Sequence, residues 1–126
     1  TIDIPVEEYL RMNESMKKSL KGYRVGVEFS HKDIELDPYL IGLWLGDGTS
    51  IDSVITNIDI EVIDYMKNEA SHMGLKLVKK GKYGYRFTGN GKKRNNIFLN
   101  FIRDQNIYNS KHIPQLCKIN SRENLI

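Results

Sequence analysis

Asp47 stands between Gly46 and Gly48, at the end of the apolar run Leu40-Ile41-Gly42-Leu43-Trp44-Leu45. A carboxylate beside a buried helix costs energy unless it is paired or holds a cation. Hard divalent cations such as Mg²⁺ favour carboxylate and carbonyl oxygens, and Gly48 leaves its backbone carbonyl unshielded next to Asp47. Such a donor set suits phosphodiester hydrolysis, where a cation activates water, aligns the reacting groups and relieves charge on the leaving oxygen. Taken alone, Asp47-Gly48 reads more readily as a turn pair closing a helix.

The second candidate is cationic. Lys76, Lys79, Lys80, Lys82, Arg86, Lys92, Lys93 and Arg94 fall within nineteen positions with no acid between them. A solvated basic surface is the plain explanation, and a net charge of +3 argues only weakly for a polyanionic partner. Tyr83 and Tyr85, interleaved with these cations on an expected hairpin, turn the reading toward nucleic acid.

The elements that must carry these residues are legible in part. Asp37 suits an N-cap and Pro38 a first turn, opening a helix to Gly46 that is apolar or glycine all round and should be buried on every side. Gly42 and Gly46 lie four apart on one face, which lets a second helix approach closely. Residues 49–57 read as extended chain, with a bend at 51–53 and a strand at 54–56. Asp59 caps a helix running to about Met73, Ile58 and Ile63 hold hydrophobic-staple positions, and Gly74 ends it. Residues 75–80 and 83–88 form a hairpin through a two-residue turn, Gly81-Lys82, and residues 93–103 return to helix. Before the apolar helix come two short helices, at 4–10 and 15–20, and an alternating strand at 23–29.

The resulting order, α-β-β-α-β-β-α, predicts an α+β domain: a four-stranded antiparallel sheet with helices on one face. If Leu75, Leu77, Tyr85 and Phe87 face the helices, then Lys76, Lys80, Arg86 and Thr88 face outward. A slip of one residue would exchange the sets.

The stretch Leu40-Ile41-Gly42-Leu43-Trp44-Leu45-Gly46-Asp47-Gly48 resembles the LAGLIDADG motif of homing endonucleases, in the variant form common in inteins. Lys111-His112-Ile113-Pro114 is similar to the element that precedes the second such motif in two-motif intein enzymes. The resemblance implies a site-specific, Mg²⁺-dependent DNA endonuclease half-domain. Asp47 would be catalytic and would hold the metal together with Gly48, and Lys111 would assist the water or the scissile phosphate. Gly42 and Gly46 would pair with a second LAGLIDADG subdomain, or with a homodimer partner. The free sheet face would be a saddle for double-stranded DNA, with Thr49, Ser50, Lys76, Lys80, Lys82, Arg86, Thr88, Lys92 and Lys93 as contacts. Residues 1–30 then resemble the end of a splicing domain and its linker, 31–110 the first subdomain, and 111–126 a lead-in to a second motif. Splicing itself would need a Cys or Ser at the first position and a terminal His-Asn pair, which this sequence does not supply.

Two other classes stay open. One is a LAGLIDADG-type DNA- or RNA-binding module without cleavage, and the other is an interaction domain that dimerises through its apolar helix. A hydrophobic fraction of 40% over 126 residues excludes wholesale disorder. No apolar run reaches membrane-spanning length. The single cysteine, Cys117, excludes an internal disulfide framework, is too little for a zinc site and is expected to be a small buried thiol in an intracellular setting. Thr1 in place of Met suggests a segment cut from a longer chain.

Overall fold

The computed structural model describes residues 3–22, 26–89 and 95–124. Two short helices, α1 (Val6–Arg11) and α2 (Glu14–Ser19), come first, and neither buries a residue. The expected strand at 23–29 is not formed at Gly26–Phe29, which is exposed coil, and residues 23–25 lie outside the described residues. Among the described residues no strand pairs with Gly26–Phe29, so alternation alone does not make it a strand.

Helix α3 (Pro38–Asp47) begins as its sequence dictates. The Asp37 carboxylate accepts the Tyr39 N–H at 2.7 Å, and Pro38 occupies the first turn. Leu40, Ile41 and Trp44 are buried, whereas Tyr39 and Gly46 are exposed and Gly42, Leu43 and Leu45 only half-buried. The expectation of burial on every side is therefore corrected: the apolar pattern covers two faces with different fates, one in the core and one open.

The sheet has three strands, β1 (Val54–Thr56), β2 (Lys76–Lys80) and β3 (Gly84–Thr88), antiparallel in the order β1-β3-β2. The fourth strand shrinks to a single bridge, Gly48 opposite Ile55, backed by Thr49 N–H to the Val54 carbonyl at 2.8 Å. Chain leaving α3 turns at once through residues 50–53, which leaves no length for a longer ladder. The hairpin loop is three residues, Gly81 to Tyr83, rather than two, with Gly81 at φ +72°. Gly84, first in β3, passes so close to Lys80 that a Cβ would lie 2.5 Å from the Lys80 carbonyl. That contact pins the register.

In this register Leu77 lies opposite Phe87 and Lys79 opposite Tyr85, on the face that packs into the core. Lys76, Val78 and Lys80 pair with Thr88, Arg86 and Gly84 on the other face. Helix α4 (Ile60–His72) starts at Asp59, whose carboxylate accepts the Glu61 N–H, and buries Met66 and Ala70. It ends at Gly74 (φ +65°) with Leu75 N–H bonded to the Ala70 carbonyl, the six-to-one closure of a Schellman turn. Ile58 stays exposed, so the expected staple with Ile63 is not closed.

Helix α5 (Ile97–Asp104) adds Phe98, Phe101 and Ile102 to the core, with Phe98 stacked on Phe87 at 4.8 Å between ring centres. The tail is folded as well. A short helix α6 (Gln115–Lys118) buries Cys117, and Asn120 beyond it is fully buried. The Asn120 amide brackets Lys32, accepting its N–H at 2.8 Å and donating to its carbonyl at 2.9 Å. Residues 111–124 are thus a packed part of the domain that ties down the approach to α3.

Asn96 does two jobs while buried: it caps α5 through the Leu99 N–H and donates to the Phe87 carbonyl at 2.9 Å. Asn96→Ala should therefore lower unfolding free energy by about 2 kcal/mol, a lost cap plus a lost buried hydrogen bond. Urea titration checks it, and an unchanged midpoint would contradict the double role.

Candidate functional site

The site is assembled at the C-terminal end of α3. Gly48 follows as the cap residue, packed against Trp44 so tightly that a Cβ there would overlap the indole and the Trp44 carbonyl. Glycine is required here by packing. Asp47 projects from the last helical position and is exposed.

Lys111 comes from 63 residues away to the same helix end. Its ammonium donates to the Leu45 carbonyl at 3.1 Å and the Gly48 carbonyl at 2.5 Å, and lies 5.0 Å from the centre of the Trp44 ring. A cation is favoured there twice, by the unsatisfied carbonyls closing a helix and by the face of an indole. Burial pushes the Lys111 amine below its ordinary value, and the nearby Asp47 charge partly opposes that shift. Asp47 and Lys111, remote in sequence, are brought together.

The Gly48 carbonyl accepts from the Lys111 ammonium, which ties the lysine to the helix end beside Asp47. Among the described residues no group of three His, Cys, Asp or Glu side chains is gathered as a cation site. His112, adjacent to Lys111, is exposed and donates through Nδ1 to the Ser110 carbonyl.

Beside this helix end an open groove of about 530 Å³ runs along α3 past Tyr39, Gly42, Leu43 and Gly46 to Asp47, with Glu123 on its margin. A Cβ on Gly46 would meet nothing within 4 Å. Nothing within the described residues demands glycine at that position.

The cations divide sharply. Lys76, Lys80 and Thr88 are exposed on the outward sheet face, Lys82 is exposed at the hairpin loop over the Tyr83 ring at 5.0 Å, and Lys92 and Lys93 lie outside the described residues. Thr49 is exposed, whereas Ser50 is half-buried with its carbonyl accepting from Asn109. Arg86 is not free: its guanidinium is bonded to the Asp52 carboxylate, which also lies 3.6 Å from the Lys80 ammonium. The run from 76 to 94 contains no acid, yet the fold supplies one from the bend at 51–53. Nothing in the local pattern announces Asp52, because its partners are 28 and 34 positions away.

Asp52 is itself tightly placed. Its backbone carbonyl accepts the Trp44 Nε1–H at 2.8 Å, and one carboxylate oxygen accepts the Ser53 N–H at 2.8 Å. Partial burial works to raise its pKa, but the Ser53 N–H, Arg86 and Lys80 outweigh it and hold the carboxyl below its ordinary 3.8. No protein-family model matches the chain, and a search of curated proteins finds no match.

Because the folded carboxyl titrates below its unfolded counterpart, its stabilisation is complete above pH about 4 and is lost as pH falls through the folded value. The gap in urea midpoint between the native chain and Asp52→Asn should be constant from pH about 7 to 5 and close below about 4. A gap independent of pH would remove Asp52 from the acid response.

Proposed function

We propose that this chain is one half of a metal-dependent, site-specific DNA endonuclease of the LAGLIDADG type, the other half being a second copy or a second such subdomain. The observation that carries the reading is the convergence of Asp47 and Lys111 at one end of a helix whose Gly42–Gly46 face borders an open groove. A paired helix in that groove would bring its own carboxylate beside Asp47. Mg²⁺ is commonly held by one or two carboxylates with water completing its shell, and the exposed Asp47 carboxylate fits one of those places. The metal would supply water activation and charge neutralisation on the phosphate. Lys111, held on the Leu45 and Gly48 carbonyls, keeps an ammonium next to that place, where it stabilises negative charge developing on a phosphate oxygen.

The outward sheet face supports the partner class. Lys76, Lys80, Arg86 and Thr88 share it, and a short antiparallel ribbon of this kind fits the major groove of duplex DNA. Among the described residues no helix is long and apolar enough to cross a membrane.

The test is a plasmid assay. Duplexes that the chain retains from a randomised pool are cloned, and supercoiled plasmid is incubated with Mg²⁺ or with Ca²⁺. Cleavage is expected with Mg²⁺ once two halves are paired, and Asp47→Asn should abolish it while leaving duplex affinity within about twofold. Lys111→Ala should slow it by about 10²-fold, the scale of one lost oxyanion donor. An Asp47→Asn protein that still linearises the plasmid would overturn the assignment. Lys76→Gln should reduce the log–log salt slope of duplex binding by about 0.9, the value for one phosphate contact. An unchanged slope would take DNA off this sheet face.

A further inference from the structure

Three cations stand on the strands of the outward face, Lys76, Lys80 and Arg86, and Asp52 engages two of them. The carboxylate is no swinging surface acid. Trp44 holds its backbone carbonyl, the Ser53 N–H holds one oxygen, and the Ser53 hydroxyl donates to the Phe87 carbonyl at 2.8 Å, fastening the bend to β3. Arg86 is the partner able to move. Its Nε is buried without an acceptor, a cost that ends if the guanidinium turns out to a phosphate. Space exists for the turn, since Arg86 also borders a cleft of about 570 Å³ shared with Thr88 and Arg103.

We infer that Asp52 is a specificity-determining residue: it stands in for phosphate on Arg86 and Lys80, so that duplex DNA of arbitrary sequence gains little from these two cations. The inference rests on the sheet face being the DNA surface. A fixed internal acid weakens backbone contacts that every duplex offers equally. Arg86 is released only where groove contacts compensate for the lost ion pair, and discrimination between sites rises accordingly.

Binding of a random-sequence 20-base-pair duplex, measured from about 50 to 300 mM KCl, tests this. Asn at position 52 retains an Oδ1 acceptor for the Ser53 N–H, so the bend should persist. Asp52→Asn should raise affinity about three- to tenfold and steepen the log–log slope by about 0.9 to 1.8, one or two added phosphate contacts. Adding Arg86→Ala to Asp52→Asn should reverse about half of the steepening, whereas Arg86→Ala alone should barely change the slope. If Asp52→Asn does not fold, the native background still decides. Lys80→Gln with Arg86→Gln should then change the slope less than Lys76→Gln alone. Unchanged affinity and slope in Asp52→Asn, with Lys76→Gln still flattening the slope, would overturn the role of Asp52 while leaving the DNA face intact. No effect of Lys76→Gln, or no duplex binding at all, would overturn both.

Discussion

Trp44 is the residue through which the parts of this domain are set relative to one another. Its ring is 1% exposed in the core, its Nε1–H fixes the bend at Asp52, its edge requires glycine at position 48, and its face lies beneath the Lys111 ammonium. A single indole thus connects the helix end that bears Asp47 with the bend that neutralises Arg86. Tryptophan suits the position because it combines a large apolar body with one polar handle and a face that attracts cations. No aliphatic side chain offers all three.

Much of this was legible locally. Asp37-Pro38 and Asp59 mark helix starts through carboxylates that accept backbone N–H groups, and Gly74 marks a stop through its positive φ. Alternation divides the hairpin into two faces, and the pairing of Leu77 with Phe87 shows which one meets the core. The three-residue hairpin loop and the open staple at Ile58 are local misreadings, whereas others concern long-range partners. Residues 23–29 alternate like a strand, but among the described residues no strand pairs with Gly26–Phe29. The extended stretch after α3 bends too soon to add a fourth strand. The apolar run of α3 does not say which of its faces will meet the core, and the tail gives no sign that Asn120 will clamp Lys32.

The candidate site shows the same division. Asp47 is evident from its setting between glycines, whereas Lys111 reaches it only through the fold. The two polar roles that sequence reasoning missed, Asp52 on Arg86 and the Gly48 carbonyl on Lys111, both join residues more than thirty positions apart. They also change the electrostatics. The ammonium closes the carbonyl end of α3, and the basic face carries less free charge than its composition implies.

The proposed endonuclease function requires Asp47 to hold the metal. Mn²⁺, which accepts the same oxygen donors as Mg²⁺, broadens the amide resonances nearest to it. A titration of the native chain bound to duplex DNA, read by heteronuclear NMR, locates the ion directly. The predicted result is broadening centred on residues 46–49 and on Lys111, abolished by Asp47→Asn. Broadening spread evenly along β2 and β3, or unaffected by Asp47→Asn, would contradict it.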